Sequence, residues 1–200
     1  MHISEGILSA PVLVSGAALT AAGTFIGLKK IDYDQIMTVA ILTATFFVAS
    51  LIHIPIGPSS IHLVLNGLLG IILGWACFPA ILTALLLQAI FFQYGGILVL
   101  GVNTFIMAAP ALICHYLVRP QLKRQKFRAI FSFIGGFGAI LLASLFMALA
   151  LFLSDLGFLR TAQISVAANL PIMLIEGFIT MFTVSFLYRV HPDIFEGNST

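Results

Sequence analysis

The fold turns on the reading of residues 61–92, IHLVLNGLLGIILGWACFPAILTALLLQAIFF. A bilayer hydrocarbon core of roughly 30 Å is crossed by about 20 apolar residues of helix. This run contains no Asp, Glu, Lys or Arg and is too long for one crossing. It is interrupted at GWACFP, where a glycine and a proline disfavour continued helix, and it reads as two spans joined by a tight turn over 75–79.

Working outward, the same length rule finds a span over 7–28, ended by LKKIDYD, and a second over 35–52, ended by HIPIGPSS. After QYGG comes a span over 97–118 that runs into RPQLKRQKFR, then spans over 130–153 and 166–188 separated by SDLGFLR. The composition agrees: 60% hydrophobic residues, 8% charged residues and a mean hydropathy of +1.14. A soluble domain carries about a quarter of its residues charged, and β-barrel strands would alternate instead of forming long apolar runs. The chain is read as an all-α integral membrane protein, one domain over residues 1–200, with a bundle of about seven transmembrane helices.

With that parity, Lys29, Lys30, Arg119, Lys123, Arg124, Lys126, Arg128 and Arg189 fall on one side and only Arg160 on the other. The positive-inside rule then places the N-terminus outside and the C-terminus in the cytoplasm. The formal charge of +2 comes mostly from two short basic loops, so it speaks to orientation and not to nucleic acid. No Lys or Arg precedes Lys29, so the start lacks the basic region of a cleaved signal and is expected to be retained. Cys77 and Cys114 lie in or beside apolar segments without metal-type spacing and read as small buried hydrophobes.

The opening MHISEG puts a histidine directly after the initiator methionine. Its bulk hinders removal of Met1, which leaves a terminal amine. That amine, the His2 amide nitrogen and the His2 ring Nδ1 can close adjoining five- and six-membered chelate rings on one metal, provided the amide gives up its proton. A planar nitrogen set suits Ni(II) or Cu(II), and Co(II) less strictly, whereas zinc prefers a tetrahedron. His62, at the outer start of the third span, is the best candidate for the fourth donor. An exposed His2 and an interfacial His62 are the plainer alternatives. Glu5 either accepts a hydrogen bond from the other His2 ring nitrogen or interacts with a helix N-terminus.

His53, beside Pro55 and Gly57, reads chiefly as an interfacial residue. Among the intramembrane polar residues Asn66, Gln88, Asn103, Asn169 and Glu176, most are expected to be interhelical hydrogen-bond partners. Asn103, flanked by glycine in GVNT, is singled out as lining a cavity or ordering a loop. Glu176 is costly at its depth without a partner, and the sequence names none. Ala40 and Ala44 stand at small-xxx-small spacing and allow another helix to approach, from this bundle or from a partner.

Taken together, MHISEG (1–6), PIGPSSIHLVLNGLLGIILG (55–74), ALLLQAIFFQYGGILVLGVNTFIMAAPAL (84–112) and LIEGFIT (174–180) resemble the cobalt- and nickel-binding S-components, CbiM/NikM type, of energy-coupling factor (ECF) importers. The resemblance spans nearly the whole chain. It implies a seven-helix subunit whose N-terminus folds back into the outer part of the bundle, with the metal held by Met1, His2 and His62. It also implies a membrane coupling (T) protein, two cytoplasmic ATPase subunits and often a small accessory membrane subunit. Ala40 and Ala44 resemble the coupling-protein contact. The absence of a G-x-x-x-x-G-K-[ST] loop fits ATP hydrolysis on another chain.

The resulting expectation is a non-enzymatic, multi-pass subunit in the cytoplasmic membrane of a prokaryote, in contact with lipid. It holds no cofactor of its own and captures Co(II) or Ni(II) from outside, for cobalamin biosynthesis or nickel enzymes. Two other classes remain as alternatives. An intramembrane metalloenzyme using His53 and His62 would want an open metal position and a base, and no H-E-x-x-H motif is present. An autonomous secondary transporter would want paired intramembrane acids, and Glu176 stands alone.

Overall fold

The computed structural model describes residues 2–56 and 59–196, with the side chains of all of these except 53–56, 59–61 and 196. The helices are α1 (Ala10–Lys29), α2 (Ile36–Ala49), α3 (Asn66–Leu73), α4 (Cys77–Phe92), α5 (Leu100–Leu122), α6 (Arg128–Ser154), α7 (Leu159–Ala168), α8 (Leu170–Val190) and α9 (Asp193–Glu196). A two-stranded antiparallel hairpin, β1 (His53–Ile56) and β2 (Ser59–His62), joins α2 to α3, with His53 opposite His62.

Among the described residues five stretches are long and apolar enough to cross a membrane: Ala10–Lys29, Asn66–Phe92, Leu100–Leu122, Gln125–Ser154 and Leu170–Val190. The second of these is not straight. Gly74 takes φ +54°, and a 3-10 turn over Gly74–Ala76 folds α4 back along α3, where the sequence puts the turn. The contacts give the directions. Asn66 Nδ2 donates to the Met107 carbonyl (3.0 Å), Gly70 packs on Ala111 and Gly74 on His115, so α3 runs parallel to α5 in steps of one helical turn. α4 then climbs from Pro79, against Gly27 of α1, to Gln88, beside Ser50 at the end of α2.

Small residues allow these approaches. A Cβ on Gly70 would stand 2.0 Å from the Ala111 carbonyl oxygen, so only glycine lets α3 lie this close to α5. In α1 the buried residues are Gly16, Thr20, Gly23 and Gly27, one stripe facing the bundle, and Thr20 Oγ1 donates to the Gly101 carbonyl (2.6 Å). The opposite faces carry exposed Val14, Phe25, Ile41, Phe91, Leu117 and Phe182, as lipid-facing helices do.

Three details differ from the sequence reading. The third span was expected to be full-length helix, yet α3 has only 8 residues, because 59–62 pair as a strand and Leu65 takes φ +55°. The second helix ends at Ala49, short of residue 52. The last span is divided: α7 fills the expected loop and α8 begins anew at Leu170, with proline in its first turn. Pro171 has no N–H to give the preceding turn, so one continuous helix would lose a bond there.

The described N-terminal residues gather at one end of the bundle, where Ser9 N donates to Ser154 Oγ (3.2 Å) and Gln88 meets Ser50. At the other end the Arg128 guanidinium lies 3.7 Å over the Tyr188 ring, and Phe195 stacks on the same ring at 4.0 Å.

Candidate metal centre

The opening segment is strapped into the bundle. Ile3 N donates to Asn103 Oδ1 and Asn103 Nδ2 donates to the Ile3 carbonyl, both at 3.0 Å, so one buried amide reads the backbone of the segment as a neighbouring strand would. Two residues on, Glu5 N donates to the Gly95 carbonyl (3.2 Å) and the Glu5 side chain accepts from Leu98 N (2.9 Å). The loop can press this close because Gly95 and Gly96 take φ of +77° and +125°, and a Cβ on Gly96 would meet the Glu5 side chain. Ile3 and Leu8 are buried, so the strap is apolar as well as polar.

This strap delivers His2 to the mouth of the bundle. Its ring centre lies 5.1 Å from that of His62, with the planes tilted by 33°, and 6.1 Å from that of Tyr94. His2 Nε2 is 3.0 Å from Gln88 Oε1, and Gln88 Nε2 donates to Ser50 Oγ. His62 Nδ1 is 3.0 Å from the Leu63 carbonyl, which can only accept, so this nitrogen carries the proton and Nε2 the lone pair.

Glu176, which had no partner in the sequence, has one here. Its carboxyl group accepts from Val64 N (2.5 Å) and Leu65 N (2.9 Å to Oε1, 3.0 Å to Oε2). It thus caps the N-terminal end of α3 from α8, satisfying donors that the short helix leaves open inside an apolar bundle. Those two amides lie two and three residues after His62, so the same contact holds the segment that carries the imidazole.

The other expected positions fall as follows. Met1 lies outside the described residues, as does the side chain of His53, although the His53 backbone pairs with His62. Glu5 does not serve the His2 ring, because its carboxyl group is turned to the Leu98 amide; Gln88 takes that role. Asn103 holds the N-terminal segment through Ile3 and lies against Gly95 of the loop that follows α4. Ala40 and Ala44 are exposed and line a groove of about 500 Å³ between α2 and α4. Among the described residues no three His, Cys, Asp or Glu side chains converge.

Two of the residues that shape the site, Gln88 and Ser50, were not assigned to it from sequence. An amide alone in the apolar run ALLLQAIFF was the available signal, but it does not name its partner.

Comparison with known proteins bears on what this end of the bundle serves. A chain of Haemophilus influenzae described as a metal transport protein is 40% identical over 97% of this chain and 96% of its own length. The fused nickel transport protein NikMN of Rhodobacter capsulatus is 38% identical over 54% of this chain and 33% of its own length. A crystal structure of a truncated transition metal transporter superposes with a TM-score of 0.83 at 30% identity, covering 96% of this chain and 100% of that one. The sequence profile described as the cobalt uptake substrate-specific transmembrane region matches residues 2–194, and the chain belongs to this family, CbiM.

Proposed function

We propose that the chain is the substrate-capturing subunit of an ECF-type importer for Co(II) or Ni(II). The ion is held by the Met1 amine, the His2 amide nitrogen, His2 Nδ1 and His62 Nε2. The observation that carries this reading is the 5.1 Å between the His2 and His62 ring centres. With metal–nitrogen bonds of about 2 Å, each imidazole centre stands about 3.2 Å from a shared ion. Rings at neighbouring corners of a square then lie about 4.5 Å apart, and rings at opposite corners about 6.4 Å. Amine, amide and Nδ1 of a Met-His start occupy three consecutive corners, so the fourth donor must neighbour the His2 ring. The 5.1 Å between the rings lies between the two values, nearer the neighbouring-corner one.

The two hydrogen bonds described above favour the required lone pairs, with Gln88 against His2 Nε2 and Leu63 against His62 Nδ1. In this reading the N-terminal end of the bundle faces outside and the basic loops face the cytoplasm. The Ala40 and Ala44 groove receives the coupling protein, and energy comes from two ATPase subunits on separate chains, with a small accessory membrane subunit where the system includes one.

An extension of two alanines ahead of Met1 moves the amine off the metal while leaving the bundle intact. Calorimetry on the purified, otherwise unaltered chain is expected to show Ni(II) and Co(II) binding lost in the extended form. Full affinity in that form would sink the four-nitrogen site.

A further inference from the structure

We infer that Gln88 is a positioning residue for metal capture: oriented by Ser50, its amide holds His2 as the tautomer protonated on Nε2 and so presents Nδ1 to the ion. The inference rests on the proposed ligation through His2 Nδ1, and it is carried by a chain of four groups whose hydrogen-bond direction is set at one end. Ser50 Oγ lies 2.7 Å from the Phe47 carbonyl. A carbonyl cannot donate, so the single hydroxyl proton points there and the Ser50 oxygen can only accept. Gln88 Nε2, at 2.5 Å, supplies the donor. The amide is thereby turned with its oxygen toward His2, and that oxygen has no proton to give. His2 Nε2 must donate, and a neutral imidazole with Nε2–H carries its lone pair on Nδ1.

Burial makes the direction stable. Gln88 is 0% and Ser50 2% exposed, so water does not stand in for either partner. A flipped amide would set two N–H groups toward the His2 ring and press its oxygen against a hydroxyl oxygen whose proton is already engaged. Both contacts would leave buried polar groups unmatched. The relay also crosses elements, from the end of α2 through α4 to the N-terminal segment, so the tautomer of residue 2 depends on a backbone carbonyl of α2.

The test uses the full chain with its authentic N-terminus, histidine-labelled with ¹⁵N and purified in detergent. Ring ¹⁵N spectra of the metal-free protein report the His2 tautomer, and calorimetry with Ni(II) reports affinity. The wild type is expected to show His2 as Nε2–H alone. Gln88→Met removes the acceptor at nearly constant length; it is expected to populate both tautomers and weaken Ni(II) binding by about 10–100-fold, the usual effect of losing the partner of a ligating histidine. Gln88→Glu, protonated on the oxygen that donates to Ser50 Oγ, still turns a carbonyl acceptor to His2, and is expected to restore the single tautomer and recover affinity to within about threefold of wild type. Ser50→Ala frees the amide to turn, and a loss of about 2–12-fold is expected, the worth of one ordinary hydrogen bond. A Met variant that keeps the Nε2–H form alone, or a Glu variant that fails to restore it, overturns the inference. If the Met variant does not fold, Ser50→Ala decides in the same two readouts, and an unchanged tautomer there overturns it. A tautomer that shifts without any change in Ni(II) affinity leaves the relay standing and refutes ligation through His2 Nδ1.

Discussion

Replacement of Glu176 tests whether a carboxyl group in the bundle interior is what allows α3 to begin where it does. The residue is 0% exposed and accepts from two backbone amides, those of Val64 and Leu65. Glu176→Leu fills similar space and leaves both donors buried without an acceptor. At about 1–3 kcal/mol for each orphaned group, the loss is about 2–6 kcal/mol. For a chain of this size about 1 kcal/mol shifts Tm by about 2–4 °C, which places the Leu variant about 4–24 °C below wild type. Glu176→Gln keeps one carbonyl oxygen and loses the second acceptor, so a deficit of about 1 kcal/mol is expected. The assay is built in: Cys77 and Cys114 are free thiols at 0% and 4% exposure, and a thiol-reactive fluorophore in detergent reports their exposure on heating. The expected order is wild type, Gln, Leu. A Leu variant melting within about 2 °C of wild type, or above the Gln variant, would refute the capping argument.

Asn103→Ala removes both bonds to Ile3 and should weaken Ni(II) binding by about tenfold or more with little change in melting; titration calorimetry beside a thermal melt checks it. Gly70→Ala forces a Cβ to 2.0 Å from the Ala111 carbonyl oxygen, so α3 must leave α5, and the yield of folded, monodisperse protein should collapse in size-exclusion chromatography. Leucines at Ala40 and Ala44 fill the groove on α2 far from His2, so the isolated chain should bind Ni(II) as wild type does while metal uptake by cells falls at least about tenfold, measured by metal accumulation.

Much of the helical architecture was legible because lipid imposes a simple rule on length and polarity. Length required the apolar run 61–92 to be two crossings, Gly74 and Pro79 marked where to divide it, and the fold does turn at Gly74–Ala76. The division before α8 also had its signal, in Pro171, though the apolar composition around it outweighed the proline. The strands His53–Ile56 and Ser59–His62 were hidden because the sequence HIPIGPSSIH, with two prolines and a glycine, has the composition of a loop. Of the site, His2 and His62 stood out by type and place. The groups that hold them did not, because their partners are remote in sequence: Gln88 is 86 positions from His2, and Glu176 is 112 from Val64. Periodicity describes one helix at a time and cannot pair an amide with a ring on another element. Glu5 shows the converse, since nearness in sequence suggested a contact with His2 and the loop at 95–98 claimed the carboxyl group instead.

The clasp between Ile3 and Asn103 spans 100 positions, which has a consequence for biogenesis. Residues 2–5 receive their full set of binding partners only after α5 has been made, so this segment is not fully docked while the four helices before α5 are synthesised. Closing so long a loop adds only a slowly growing entropic cost, about 0.6 kcal/mol for each doubling of its length, and delay therefore does little harm to the final assembly. What the delay provides is time, during which residues 2–5 are open to contact before they become part of the bundle.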